Sequence, residues 1–207
     1  MQKQFFTMLQ LQHAMNTKVH PHWIAQHFEW YRALWIECGE LMDHQGYKWW
    51  KKQTPDIEQV KLEIVDIWHF GLSMVITRFD GDLQAAAEAM AAELAATPRN
   101  GEGVLLATEA LASHTLRSKE FSVGKFWDLM QAAGMTADEL FTAYVGKNVL
   151  NFFRQDHGYK EGSYVKQWHG REDNEHLVEI VAALDPSAED FSQQLYAGLA
   201  ERYATVS

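Results

Sequence analysis

The chain has 207 residues, of which 47% are hydrophobic and 13% aromatic, and its formal net charge is -10. This length and composition predict a single domain over residues 1–207 and argue against extended disorder. The negative charge disfavours nucleic acid or an anionic membrane as the main partner, because both need a positive surface. We also predict no signal peptide and no membrane span. Cys38 is the single cysteine, which excludes an internal disulfide and predicts a reducing, cytoplasmic setting.

Apolar residues recur at helical spacing, so the sequence predicts an all-α protein without a convincing β-strand. In chain order, we predict helices over 4–17, 22–44, 54–79, 83–96, one or two within 102–132, then 136–154, 173–184 and a last helix after Ser187. We expect Gly46 to end the second helix and Thr54, ahead of a proline, to start the third. Thr136 and Glu139 predict a capping box. The stretches 97–101 and 158–170 predict a helix stop and a loop.

Two pairs of carboxylates lie three residues apart in apolar helical segments. Glu37 and Glu40 form the first pair within WIECGELM, and Glu63 and Asp66 form the second within LEIVDIW. Each pair projects from one helix face, and the two faces converge if the helices pack antiparallel. The alternative is two solvated acidic faces. The apolar runs around both pairs contain no lysine or arginine to offset the acids, which favours convergence.

Four converging carboxylates repel one another unless a cation binds between them. Ligation by oxygen alone favours Mg²⁺, or Mn²⁺, over zinc. Magnesium bound by few carboxylates leaves positions for water and for phosphate oxygens, as phosphoryl chemistry requires. The sequence therefore predicts a metal site formed by Glu37, Glu40, Glu63 and Asp66. Glu40 is the candidate general base.

A basic segment spans residues 147–171, which contain five lysines and arginines but only two acidic residues. Arginine binds phosphate oxygens in bidentate fashion and lysine supplies a point charge, so this segment predicts a phosphate site. Its candidate residues are Lys147, Arg154, Tyr159, Lys160 and Lys166. Asn151 shares a helix face with two of them and offers both a donor and an acceptor to a base. The alternative is a solvated basic loop.

Four further side chains are candidates for contacts with a base or sugar. His69 follows Asp66 by one turn and predicts either a contact with a substrate hydroxyl or a satisfied core histidine. Trp50 is suited to stacking on a base, although packing at a helix end is the simpler interpretation. Gln12 and Asn16 share one helix face and offer amides to a base, the alternative being surface polarity.

Four motifs occur together and in order: E-C-G-E, Y-K-W-W-K, E-I-V-D-I-W-H-F and K-N-V-L-N-F-F-R-Q-D-H-G-Y-K. With them the chain resembles the dimeric, all-α dUTPases over residues 10–80 and 140–176, whereas 81–135 is treated as a family-variable helical region. The resemblance implies a helical bundle with a four-helix catalytic core. It also implies a homodimer that hydrolyses dUTP, and dUDP as well, to dUMP with magnesium.

The resemblance also implies roles for the candidate residues. By this resemblance, the metal would be bound by Glu37, Glu40, Glu63 and Asp66, and Glu40 would activate water. The phosphates would be bound by Lys147, Arg154, Tyr159, Lys160 and Lys166. The uracil would contact Gln12, Asn16 and Asn151, with Trp50 lining the base pocket, and the sugar would contact His69. The chain departs from the family where Gly39 replaces the usual alanine and Tyr47 a common tryptophan. Both departures leave the base preference less constrained than the metal site.

Three other functions stay open from the sequence. A related all-α pyrophosphohydrolase acting on another nucleotide, such as dCTP, would share the same chemistry. A di-iron carboxylate bundle also directs acids inward, but it normally contains E-x-x-H pairs. This chain offers only D-x-x-H, at Asp66 to His69 and Asp173 to His176. A non-catalytic helical binding protein would leave the acidic motifs unexplained.

Overall fold

The computed structural model describes residues 1–98, 100–186, 188 and 190–206. These residues form nine α-helices: α1 (Gln2–Val19), α2 (Trp30–Gln45), α3 (Ile57–Arg78), α4 (Leu83–Ala96), α5 (Val104–Ser118), α6 (Val123–Ala132), α7 (Ala137–Asp156), α8 (Asp173–Ala183) and α9 (Phe191–Tyr203). A 3-10 helix (Ile24–Gln26) precedes α2, and an antiparallel hairpin of β1 (Gln167–Trp168) and β2 (Arg171–Glu172) precedes α8. The all-α prediction is therefore confirmed. Among these described helices, none has the length and apolar character needed to cross a bilayer.

Two predicted helix starts were wrong, and each has a local cause. The predicted helix 22–44 is divided, because His27 adopts a left-handed backbone with φ 51° between the 3-10 helix and α2. The third helix begins at Ile57 and not at Thr54. The carboxylate of Asp56 caps it by accepting a hydrogen bond from the backbone N–H of Gln59 at 3.2 Å. The prediction that no strand forms missed the hairpin β1–β2.

Other predicted boundaries are confirmed. Gly46 ends α2 with φ 85°, a backbone region that favours glycine. Thr136 and Glu139 form the capping box at the start of α7, with hydrogen bonds of 3.2 and 2.7 Å. Arg99, in the predicted stop after α4, and Ser187, the predicted boundary before the last helix, lie outside the described residues.

Helix α3 occupies the middle of the packing. It packs along α2, its most extensive helix contact, and it also contacts α1, α7 and α6. The backbone N–H of Asp56 donates to the carbonyl of His44 at 3.0 Å and ties the end of α2 to the start of α3. Ile64 and Trp68 are fully buried on α3, and Trp68 stacks on Phe126 of α6 at 4.5 Å between ring centroids. This packing fixes the face of α3 that carries the predicted acids.

An aromatic cluster attaches the C-terminal part of the chain to α7. The ring of Phe153, fully buried on α7, lies within 6.4 Å of the rings of Tyr164, Trp168, Tyr196 and Tyr203. These contacts join the loop after α7, the hairpin and α9 to one helix. They also place the start of α8 beside the second half of α7.

Candidate active site

A cavity of about 870 Å³ lies between α1, α2, α3 and α7, and the loop after α7 and the first turn of α8 border it. Three groups of side chains line it: carboxylates of α2 and α3, basic residues of α7 and the following loop, and amides and aromatic rings from α1 to the start of α2. No described residue of 81–135 lines the cavity. The predicted family-variable region therefore supports this cavity from outside.

Three carboxylates converge on one side of the cavity. Glu37, Glu63 and Asp66 each place one oxygen within 4.8 Å of the others. Burial, followed by the charge of Asp66, raises the pKa of Glu37 to about 8. Burial also raises the pKa of Glu63, which is 7% exposed. A divalent cation would remove this repulsion, and three carboxylate oxygens match the donor set that Mg²⁺ accepts.

Glu40 and His44 continue the same face of α2, one turn apart. Glu40 lines the cavity, is exposed, and lies outside the group of three converging carboxylates. Its charge contributes to the raised pKa of Glu37 and of Glu63. His44 Nε2 lies 3.5 Å from Glu63 Oε1. His44 was not identified from the sequence, although its spacing of four residues from Glu40 places it on this face.

Lys147 lies against the carboxylates. Its buried ammonium donates to Asp66 Oδ2 at 2.8 Å and to Asn174 Oδ1 at 3.1 Å. A lysine ammonium has three N–H donors, so these two bonds leave one. Asn174, in the first turn of α8, lines the cavity and was not identified from the sequence.

Arg154 is held by a buried acid. Its Nε and Nη2 donate to the two carboxylate oxygens of Asp173 at 2.8 and 2.7 Å, and its Nη1 donates to Asn151 Oδ1 at 3.2 Å. Asp173 is fully buried and also accepts a hydrogen bond from the Tyr164 hydroxyl at 2.8 Å. Arg154 and Asn151 line the cavity. From the sequence, Asp173 was identified only as part of a D-x-x-H pair.

The remaining phosphate candidates divide into two kinds. Tyr159 and Lys166 line the cavity, and the Tyr159 ring centroid lies 5.7 Å from Cζ of Arg154. Lys160 does not line the cavity, and its ammonium donates to the backbone carbonyl of Val19 at 2.9 Å. The structure therefore brings four of the five predicted phosphate residues to one cavity.

The amides of α1 form a buried network with α3. Gln12 Nε2 donates to Asn16 Oδ1 at 2.9 Å, and Asn16 Nδ2 donates to the hydroxyl of Ser73 at 2.9 Å. Gln12 Oε1 lies 2.7 Å from His69 Nδ1, which makes Nδ1 the donor. Gln12, Asn16 and His69 all line the cavity.

His69 is neutral and has a free acceptor. Burial lowers the pKa of His69 to about 4, so the ring is uncharged at neutral pH. Because Nδ1 carries the proton, Nε2 presents a lone pair. Nε2 is buried and has no hydrogen-bond partner within the described ranges of the chain. It is therefore an acceptor that a ligand hydroxyl or N–H can use.

Aromatic rings close the cavity beside these amides. Trp30 at the start of α2 stacks on Phe70 of α3, with ring centroids 6.3 Å apart and an interplanar angle of 29°. Both rings line the cavity, as Trp23 and Phe28 also do. These four residues were not identified from the sequence, although Phe70 follows Asp66 by four residues and so shares its helix face.

Trp50, the predicted base-pocket residue, lies elsewhere. It is 60% exposed, its ring contacts those of Tyr47 and Trp49, and it is absent from the described lining of the cavity. The four aromatic residues above, and Tyr159, therefore supply ring surfaces that line the cavity.

An all-α fold in which carboxylates face lysine and arginine across a cavity defines a class of helical proteins suited to a polyphosphate ligand. The sequence model of one family, described as dUTPase, matches residues 4–159. The chain therefore belongs to the dUTPase family, and it is a dUTP diphosphatase that hydrolyses dUTP. No curated protein matches the chain. The family match ends within the loop after α7, so Tyr164, Asp173 and Asn174 lie beyond it.

Proposed function

We propose that dUTP hydrolysis yields dUMP, that dUDP is hydrolysed to dUMP as well, and that the reaction uses Mg²⁺ or Mn²⁺ held by Glu37, Glu40, Glu63 and Asp66. One observation carries the proposal: three of these carboxylates place oxygens within 4.8 Å of one another on the wall of a cavity that also holds Lys147 and Arg154. When bound, such an ion neutralises phosphate charge and lowers the pKa of a coordinated water.

Glu40 is the proposed general base. It is exposed to the cavity and lies outside the group of three converging carboxylates, so one of its two oxygens could bind the ion while the other accepts a proton from water. A general base must lie within hydrogen-bond reach of the proton that it removes. Glu40 is one turn from Glu37, and its charge already acts on Glu37 and Glu63.

The basic residues are proposed to bind the phosphates. Lys147 lies beside the carboxylates, where its positive charge can offset the negative charge of a phosphate near the ion. Arg154 keeps N–H groups for a second phosphate, and Tyr159 and Lys166 lie on the same cavity wall. Lys160 stays a proposed phosphate contact, which requires that its ammonium leave the carbonyl of Val19.

The base and sugar are proposed to occupy the end of the cavity formed by α1. Gln12, Asn16 and Asn151 offer amides to the uracil edge, and His69 Nε2 can accept a hydrogen bond from a deoxyribose hydroxyl. Trp30 and Phe70 supply ring faces there. Trp50 stays a proposed base contact, which requires its loop to approach the cavity.

We also propose that the chain forms a homodimer in the cytoplasm. Exposed aromatic residues support an interface with a second copy: the ring of Trp50 contacts those of Tyr47 and Trp49, and Tyr47, Trp49 and Trp50 are 44%, 90% and 60% exposed. The cytoplasmic location is supported by the single cysteine, since no internal disulfide can form. Sedimentation equilibrium would test the dimer, and a monomer at micromolar concentration would contradict it.

Product release measures the proposed chemistry directly. We expect pyrophosphate from dUTP and phosphate from dUDP in the presence of Mg²⁺ or Mn²⁺, and neither product with a chelator. A panel with dCTP and dTTP tests the base preference, and UTP tests the sugar preference. Hydrolysis of dCTP at the rate of dUTP would overturn the preference for uracil. Stoichiometric iron in the purified protein would favour the di-iron alternative. Glu40→Gln should abolish turnover while the protein stays folded.

A further inference from the structure

We propose that Asp173 is a positioning residue: it fixes the guanidinium of Arg154 so that the two free N–H groups of Arg154 meet the substrate's phosphates in one orientation. This role rests on the phosphate contact proposed above for Arg154. Asp173 lies beyond the segment that matches the family.

Arg154 and Asp173 form a bidentate ion pair. Both oxygens of Asp173 accept hydrogen bonds from Arg154, at 2.8 and 2.7 Å, and both side chains are buried. Burial alone would raise the pKa of Asp173, but the hydrogen bond and the charge of Arg154 lower it, so the carboxylate is ionised at neutral pH. Two parallel hydrogen bonds to a planar carboxylate fix the plane of the guanidinium.

The orientation leaves usable donors on the other edge. A guanidinium has five N–H groups, and the three bonds of Arg154 to Asp173 and Asn151 use three of them. One N–H of Nη1 and one N–H of Nη2 are left. Arginine and phosphate commonly form two parallel hydrogen bonds through such a pair of donors. Arg154 lines the cavity on the helix face that also carries Lys147.

Asp173 is itself held from two sides. The hydroxyl of Tyr164 donates to Asp173 Oδ2 at 2.8 Å, and the Tyr164 ring stacks on Tyr203 of α9 with centroids 5.3 Å apart. Asp173 begins α8, and its backbone N–H donates to the carbonyl of Lys166 at 3.0 Å. The Arg154–Asp173 pair therefore connects the C-terminal segment to the cavity.

A role in stability alone explains the pair poorly. A buried ion pair is a weak net stabiliser, because desolvation of both charges offsets their attraction. Arginine also has a flexible side chain, and ordering it when a ligand binds costs free energy. An arginine already held in the binding orientation avoids that cost. Asp173 would then act on phosphate affinity through Arg154.

Asp173→Asn is the direct test, because it keeps the size of the side chain and removes its charge and one acceptor. The probe is inorganic pyrophosphate with Mg²⁺, measured by calorimetry, together with KM for dUTP. We expect the Kd for pyrophosphate and the KM for dUTP each to rise by about tenfold or more, because loss of a charged hydrogen-bonded partner commonly weakens binding by that much. Affinity for Mn²⁺ without pyrophosphate should stay within about twofold, because no proposed metal ligand changes.

A double-mutant cycle separates positioning from a structural role. In an Arg154→Met background, Asp173→Asn should cause no further loss of pyrophosphate affinity, because its effect passes through Arg154. Tyr164→Phe removes one hydrogen bond to Asp173 and should raise the pyrophosphate Kd by about threefold. If Asp173→Asn does not fold, the same cycle with Tyr164→Phe decides.

Glu179→Gln is the matched control on the same helix. Glu179 pairs with Arg171 and Arg202 and does not line the described cavity, so this variant should bind pyrophosphate as the unchanged chain does. Normal pyrophosphate affinity in Asp173→Asn and Tyr164→Phe, with affinity lost in Arg154→Met, would overturn the positioning role alone. Additive losses in the cycle would also overturn it. Normal affinity in Arg154→Met would instead overturn the phosphate contact proposed for Arg154.

Discussion

The ammonium of Lys147 lies 2.8 Å from Asp66 Oδ2, so a cation of α7 reaches directly into the carboxylates of α3. Lys147 is buried, and its second hydrogen bond goes to Asn174 of α8. One side chain therefore connects the acidic and the basic sides of the cavity. The Lys147 ammonium partly neutralises acids that are also proposed to bind a divalent ion, and it is proposed to bind a phosphate as well. Its removal should therefore affect metal affinity and turnover differently.

Lys147→Met should change metal affinity and turnover in opposite directions. Removal of a positive charge next to Asp66 should raise affinity for Mn²⁺ by a few-fold, because the ion no longer competes with an ammonium. kcat/KM for dUTP should fall by about 100-fold, because a charge opposite the phosphates is lost. A manganese titration and steady-state kinetics measure the two effects. Lys61→Met, at a surface pair with Glu139, is the control; metal affinity that falls together with turnover would contradict the prediction.

Metal-free protein should lose stability as pH rises. The folded pKa of Glu37, about 8, lies above the usual 4.5, so its stabilising contribution is complete below about pH 4.5 and disappears as pH rises through 8. We expect the melting temperature with a chelator to fall between pH 5 and pH 8, and Mg²⁺ to restore it most at the higher pH. Thermal unfolding at several pH values measures both effects.

Glu37→Gln provides the comparison for that experiment. An uncharged amide cannot titrate, so the variant should show a flatter dependence on pH and a weaker response to Mg²⁺. Glu58→Gln, at the exposed start of α3, should behave as the unchanged chain does. A pH dependence in Glu37→Gln equal to that of the unchanged protein would show that Glu37 does not cause it.

Stability should also fall on the acid side because of His69. Its folded pKa, about 4, lies below the usual 6.5, so the unfolded chain binds a proton there that the folded chain does not. As pH falls from 6.5 to 4, this group should remove up to about 1.4 kcal/mol per pH unit. His69→Gln should reduce that slope in urea unfolding at pH 7, 6 and 5. The exposed His22→Gln should leave it unchanged.

The sequence predicted those parts of the site whose residues lie within one helix. A spacing of three residues in apolar surroundings identified Glu37 with Glu40 and Glu63 with Asp66, because helical periodicity fixes which side chains share a face. The structure brings Glu37, Glu63 and Asp66 together, while Glu40 lies beside them.

Contacts between distant segments could not be predicted in this way. Arg154 and Asp173 are 19 residues apart, and their pairing depends on the path of the loop and on a hairpin whose strands have two residues each. Strands that short have no periodic pattern. The exposed position of Trp50 likewise depends on a segment without helix or strand, between α2 and α3. The helix break at His27 follows from one positive φ, which could not be predicted from the residue type alone.

Two glycines should respond in opposite ways to alanine. A Cβ at Gly71 of α3 would lie 2.6 Å from ring carbons of the buried Phe121, so Gly71→Ala should cost about 1–3 kcal/mol through overpacking. A Cβ at Gly39 of α2 meets nothing within 4 Å, and Gly39→Ala should stabilise the helix by up to about 1 kcal/mol. Urea unfolding measures both changes. Equal effects of the two substitutions would mean that the ring of Phe121 moves aside at little cost, and that α3 packs less tightly on this side than its buried contacts indicate.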